Sequence, residues 1–265
     1  MFTPYEIVFL ACEFNKMADE IHRAYIELQN KNKELKLLDK FRTNLIDTVS
    51  HEFRTPLTSI QGYTSRLLRQ DIQIDEETRQ KSLRTIKRQS ERLSRMVEDL
   101  LIIPDIDGAR INVKMEPLSV NATIENASGF ANTTEIVNNV ANDFPLVVAD
   151  KDRLEQVVMN LLENAKKYAY EDTAIVVDSY VEDDFAHILI KNQCDKIPEN
   201  KLNKLFDKFI RLDNETTRTT RGTGLGLFIV KGLVEAMGGS ITLHSNDEFG
   251  FIADMRFRIY DETSA

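Results

Sequence analysis

The chain has 265 residues, of which 42% are hydrophobic and 29% charged, and a formal net charge of −9. That composition excludes a disordered chain, exceeds what one core usually holds, and argues against nucleic acid as an electrostatic partner, so any anionic ligand must be gripped by a local site. Cys12 and Cys194 have no metal-ligand spacing and read as reduced thiols, and no apolar run approaches eighteen residues, so the chain as given reads as soluble.

From Met17 onward, Ile21, Ala24, Leu28, Leu35, Leu38, Leu45 and Val49 fit alternating steps of four and three, interrupted at Lys31 and Arg42. Such a heptad pattern predicts a coiled coil, most simply a parallel dimer; one long helix packed on its own domain is the other reading. The seam continues into Ser50-His51-Glu52-Phe53-Arg54-Thr55-Pro56-Leu57. Here Val49, Phe53, Leu57 and Ile60 form one helical stripe, and His51 points roughly 200° away from it. An imidazole on that side is open to solvent and can act as a nucleophile, although a surface histidine without a role fits the same pattern. Pro56 should kink the helix just beyond it.

A turn is expected near Asp71 to Asp75, then a second helix from about Glu76 to Ile102 with Leu83, Ile86, Leu93, Val97 and Leu100 as its inner stripe. Pro104 and Gly108 should end it and open a linker. Two antiparallel helices per chain, paired in a dimer, make a four-helix bundle. Beyond the linker, strand-like runs at Ile111–Met115, Ala174–Val181, Ala186–Lys191, Ile241–His244 and Phe251–Ile259 alternate with helical runs at Asp152–Ala169 and Leu225–Met237. This order predicts an α/β sandwich, with helices on one face of a mixed sheet.

Three pieces of this second half suit nucleotide chemistry. In Asn160-Leu161-Leu162-Glu163-Asn164-Ala165-Lys166-Lys167-Tyr168, Asn160 and Asn164 share a helical face, with Lys167 a turn further on. Carboxamide oxygens can ligate Mg²⁺ and an ammonium can meet phosphate; a plain polar face is the alternative. In Arg221-Gly222-Thr223-Gly224-Leu225-Gly226-Leu227, glycines ahead of a helix let backbone amides approach phosphate oxygens. The polar stretch before it, with Arg211, Arg218 and Arg221, has the composition of a phosphate-facing lid or of a solvated loop. Leu205-Phe206-Asp207-Lys208-Phe209 reads as an apolar anchor for the base of that lid.

In this order the pieces resemble the sensor histidine kinases of two-component systems over almost the whole chain. HEFRTPL resembles the phosphoacceptor box, NLLENAKKYA the asparagine box, LFDKF the phenylalanine box and GTGLGL the second glycine box. Phe14 to Glu20 resembles the end of a HAMP signalling module, with Val8 where a glycine is usual. The resemblance implies a partial HAMP second helix at 1–22, a coiled-coil connector at 23–45 and a dimerisation and phosphoacceptor hairpin at 46–103. A linker at 104–110, an ATP-binding domain of the gyrase and histidine-kinase type at 111–262 and a tail at 263–265 would follow. It further implies a homodimer, a response-regulator partner, no nucleic acid, and sensor and membrane helices upstream of a cytoplasmic portion.

By position, the resemblance makes His51 the acceptor of the γ-phosphoryl group of ATP and Glu52 the neighbouring base. Asn160 and Asn164 would hold Mg²⁺ and phosphates, Lys167 and Tyr168 would line the pocket, and Arg211 would reach the γ-phosphate. Gly222, Gly224 and Gly226 would form the lid's glycine hinge, with Arg221, Thr223 and Leu225 also binding ATP. Glu52 and Thr55 match the ExxT pattern of members that also dephosphorylate their regulator, Thr55 orienting the attacking water. The chemistry agrees, since phosphoryl transfer needs positioning and charge neutralisation, and a deprotonated imidazole is nucleophilic.

One segment departs from the family. Where Asp-x-Gly-x-Gly is usual, the chain reads Asn192-Gln193-Cys194-Asp195-Lys196. Asn192 can still accept from an adenine amino group, by a bond weaker by roughly 1 kcal/mol for want of charge. The missing glycines raise the question of how the loop fits. A scaffold with a degenerate pocket and a water-activating ATPase of the gyrase or mismatch-repair kind are the rival readings. Against the ATPase, Asn160 stands where those enzymes carry glutamate.

Overall fold

The computed structural model describes residues 4–69, 74–128, 135–210 and 223–261. The chain divides into two compact units, residues 1–51 and 52–265.

Helix α1 (Pro4–Leu68) supplies the whole described part of the first unit and enters the second. In the first unit Met17, Ile21, Leu28 and Leu35 are 51–64% exposed. The side chains of Leu38, Arg42 and Leu45 lie outside what is described, as does most of the turn near Asp71 to Asp75. The helix carries through Pro56, which is itself buried.

In the second unit, α2 (Glu76–Asp107) starts at Asp75, whose carboxylate accepts from the Thr78 backbone N–H at 2.7 Å and from its hydroxyl at 2.7 Å. These bonds satisfy helix-start donors and hold the Asp75 carboxyl below its usual pKa. The buried positions on α2 are Ser82, Met96 and Ile102, whereas Leu83 and Val97 of the expected inner stripe are 42% and 44% exposed. Periodicity marked an apolar face, but one chain alone does not cover all of it.

Helix α2 also outruns its expected end at Ile102. It passes through Pro104 to Asp107, and Gly108 caps it by donating to the Pro104 carbonyl at 3.0 Å. Ile102 belongs to the core of the following α/β region, with Ile103 and Ile106 packed on it, and this burial outweighs the hydrogen bond that proline removes.

That region comprises β1 (Glu116–Leu118), α3 (Val120–Ser128), β2 (Ile136–Asn138), β3 (Val147–Ala149), α4 (Lys151–Tyr168), β4 (Ile175–Glu182) and β5 (Phe185–Asn192). It continues with the short helix α5 (Glu199–Leu202), a 3₁₀ turn at Asn203–Phe206, α6 (Gly226–Ala236), β6 (Ser240–His244) and β7 (Phe251–Arg258). The main sheet has the order β2-β4-β5-β7-β6; β2 runs parallel to β4 and the other pairs are antiparallel. Ile188 and Ile190 of β5 face the helical layer with Leu154, Leu161 and Leu162 of α4 and Ile229 and Leu233 of α6, all at most 1% exposed.

The expected strand at Ile111–Met115 is not one. Ile111 and Val113 pack on the core, which explains their alternation, but the ladder begins at Glu116 and pairs with β3 in a separate two-stranded sheet. Alternation records burial, and pairing does not follow from it. Asp150 joins the two pieces: one oxygen caps α4 by accepting from Arg153 N–H at 3.0 Å, the other accepts from Lys114 N–H at 2.7 Å.

Candidate functional site

His51 is exposed on α1, and its neighbour Glu52 is only 8% exposed. Glu52 Oε2 lies 3.2 Å from Arg92 Nη2 of α2. Arg92 was not legible as a site residue, since forty positions of sequence separate it from its partner. The pair fixes the carboxylate beside the histidine in an orientation that the chain's periodicity alone leaves free. Thr55, one turn on from Glu52, is half-buried.

The other predicted residues gather around α4. Asn160 and Asn164 lie on its polar side, and the Asn160 side-chain nitrogen is buried without a hydrogen-bond partner. Asn164 faces the start of α6: a Cβ on Gly226 would meet its side-chain nitrogen at 3.4 Å. Lys167 Nζ donates to Tyr168 Oη at 2.8 Å and stands over that ring, 4.6 Å from its centre. Glu163 turns instead toward α2, where its carboxylate is 3.5 Å from Arg95. Burial, and then the charge of Glu163, push the neighbouring Asp99 up to about 6.

Arg211, Arg221 and Gly222 lie outside the described residues, as does the stretch between them. The two ends of that stretch meet: Phe209 N–H donates to the Gly224 carbonyl at 2.9 Å. Gly224 has φ +70°, and a Cβ there would stand 2.9 Å from the Phe209 backbone, so conformation and space both require glycine. Phe206 is in the core and Phe209 packs on it, which makes the phenylalanine pair an anchor. Thr223 accepts from Leu225 N–H at 3.3 Å, and Leu225 is fully buried at the first turn of α6.

Asn192 ends β5 on the same face as Ile188 and Ile190 and is 1% exposed. Neither its side-chain oxygen nor its nitrogen has a hydrogen-bond partner. The thiol of Cys194 lies nearby: burial pushes that thiol up, and the Asn192 side chain offsets a part of the rise. The loop is tied to the end of α4, with Tyr170 N–H donating to the Gln193 carbonyl at 2.9 Å and Tyr170 Oη to Asp195 at 2.6 Å.

The question raised by the missing glycines has a structural answer. Positions 192–196 need no positive φ. The close approach is supplied across the fold by Gly250, where a Cβ would fall onto the Cys194 carbonyl and stand 2.7 Å from the Asp195 oxygen. Ser245 completes the fit by accepting from Ile197 N–H at 2.9 Å. Gly250 gave no signal in sequence, because nothing local links it to the loop it accommodates.

Unmet polar atoms on Asn160 and Asn192, with Asn164 beside a glycine-opened helix start, fit a polar, planar ligand carrying phosphates. Comparison with known proteins gives the site its context. Residues 149–261 match the histidine kinase-, DNA gyrase B-, and HSP90-like ATPase family, and residues 41–108 match the His Kinase A (phospho-acceptor) domain. The chain belongs to the sensor histidine kinases of two-component systems.

Among relatives of this chain, sensor protein KdpD of Clostridium acetobutylicum is 31% identical over 217 residues, which cover 80% of this chain and 24% of that protein. Sensor protein SrrB of Staphylococcus aureus is 33% identical over 222 residues, covering 78% and 36% respectively. The chain thus spans about a quarter to a third of the length of these relatives. In fold it is similar to the Acinetobacter baumannii histidine kinase AdeS, with a TM-score of 0.57 and 24% identity over 80% of this chain and 98% of that one. Full-length ShkA, solved in complex with AMPPNP, gives a TM-score of 0.57 at 24% identity over 81% of this chain and 46% of that one. Among the described residues no helix is long and apolar enough to cross a membrane.

Proposed function

We propose that this chain transfers the γ-phosphoryl group of ATP to His51 and from there to an aspartate on a response-regulator receiver domain. The observation that carries the reading is the exposed His51 beside a buried, arginine-held Glu52, in a chain that also presents orphaned carboxamides on a nucleotide-type fold. The imidazole nitrogen attacks phosphorus as the bond to the β–γ bridging oxygen breaks, and ADP leaves. The ring proton passes to Glu52, which Arg92 keeps in place. Asn192 meets the base, Lys167 and Tyr168 line the pocket, and Arg211, Arg221 and the Gly222-Thr223-Gly224-Leu225-Gly226 run serve the phosphates. Mg²⁺, when bound, neutralises phosphate charge; Asn164, with Asn160 a turn away, is the residue to ligate it.

A second copy of the chain is the partner that covers Ile21, Leu28, Leu35, Leu83, Val97 and Leu101, the last 69% exposed. The domain boundaries follow the resemblance, except that the last turns of α2 pack with the ATP-binding part. Its similarity to sensor proteins supports reading it as the cytoplasmic portion of a membrane sensor.

Incubation with γ-labelled ATP and Mg²⁺ tests the central claim. Wild type should gain acid-labile, alkali-stable label and His51→Gln none; unlabelled wild type would point to a scaffold, and phosphate release without labelled protein to an ATPase. The Glu52–Thr55 spacing supports phosphatase activity on the regulator. Thr55→Ala should then slow loss of phosphate from the labelled regulator by about tenfold or more while autophosphorylation persists; an unchanged rate removes this part.

A further inference from the structure

Asn192 differs from a carboxylate in a way that bears on which base the pocket accepts. A carboxylate is an acceptor on both oxygens, whereas a carboxamide carries an acceptor and a donor side by side. In this chain both are buried, and both lack a partner. The residue sits where β5 ends, on the apolar sheet face that Ile188 and Ile190 line, and the polar group beside it is the Cys194 thiol, a weak partner. Each unmet buried polar group is costly. An occupant that answers both must itself present a donor beside an acceptor.

The six-membered edge of a purine does so in either of two senses. Adenine shows its amino donor at position 6 and an acceptor at N1. Hypoxanthine, the simplest 6-oxopurine, shows an acceptor at position 6 and an N1–H donor. Half a turn about the terminal torsion exchanges the oxygen and nitrogen of Asn192, and that torsion is close to two-fold symmetric. One orientation answers adenine and the other answers the 6-oxo base. A carboxylate in the same place has no donor for the 6-oxygen and would set two acceptors against each other.

We propose that Asn192 makes this a purine-general pocket, which binds 6-oxopurine nucleotides nearly as well as adenine nucleotides. This rests on the nucleotide-binding reading above and goes beyond it by naming the residue that sets base choice. The loop permits such a residue because Gly250 accommodates the Cys194 and Asp195 carbonyls from the opposite side, so the segment keeps its course without its own glycines.

Calorimetric titration of the full chain with ADP and with inosine diphosphate, both with Mg²⁺, decides it. Wild type should bind the two within about tenfold of each other, and Asn192→Asp should weaken the inosine nucleotide about 10- to 100-fold relative to ADP. A wild-type preference for ADP of about a hundredfold overturns the proposal, and so does an Asn192→Asp protein that discriminates no better than wild type. The wild-type ratio alone suffices if a buried aspartate prevents folding, which a thermal melt reveals. Binding of neither nucleotide would bring down the ATP-site reading, and this inference with it.

Discussion

The long first helix and the α/β region handle their apolar residues in opposite ways. In α1, Ile21, Leu28 and Leu35 stand 62%, 63% and 64% exposed, each at its place in a heptad. In the α/β region Leu154, Leu161, Ile175 and Ile190 are sealed to 0%. The second arrangement closes on itself within one chain; the first does not. On the proposed dimer, the difference separates a core packed within one chain from a seam whose stability depends on protein concentration.

Breaking the seam should produce the largest change. Leu28→Asp with Leu35→Asp places like charges along the proposed dimer axis and should convert dimer to monomer in sedimentation experiments, while the α/β region keeps its own melting transition. If the mass stays dimeric, the heptad is not the interface. The core side of the contrast is sharpened by Gly250→Ala, whose added methyl meets backbone and not a flexible side chain. We expect a loss of about 2–3 kcal/mol in chemical denaturation, with weaker ADP binding, because the Asn192 loop has to move.

The smallest effect concerns Asp99, the one group described above that sits between the helical and α/β parts with a displaced titration. Its pKa rises from 3.8 to about 6, first through burial and then through Glu163 and Glu98, with Arg95 acting the other way. The folded protein therefore holds this proton more tightly than the unfolded chain. Its contribution to stability is present below about pH 4 and is lost as pH rises through 6. Asp99→Asn should be more stable than wild type by about 2 kcal/mol at pH 7.5 and equal to it near pH 4, as read from paired thermal melts.

Much of the fold was legible because it repeats. The apolar spacing of α4 and the alternation in β4, β5 and β7 each span several periods, and their limits came within one or two residues of those observed, while the heptad, read from Met17, marked only part of a helix that runs from Pro4 to Leu68. What escaped was short or distant. β2 and β3 have three residues each, too few to show any period, and α3 buries Val120, Ile124 and Ala127 along a single two-turn face. The extension of α2 past Pro104 was hidden because proline is a local stop signal, and the isoleucines that override it find their partners more than a hundred positions on.

The site followed the same division. The asparagines of α4 and the glycines before α6 stand in compact motifs. Arg92, which holds Glu52, and Gly250, which makes room for the 192–196 loop, act across the fold and carry no local signature.

The final turns of α2 have a practical meaning. Ile106 lies so close against Gly232 of α6 that even a methyl group there would overlap it, and Asp107 holds Lys208 beyond. Anyone excising the nucleotide-binding portion for separate study should cut ahead of Leu100. A fragment starting at Pro104 would keep Ile106 but leave behind Ile102 and Ile103, baring to solvent the greasy surface they cover.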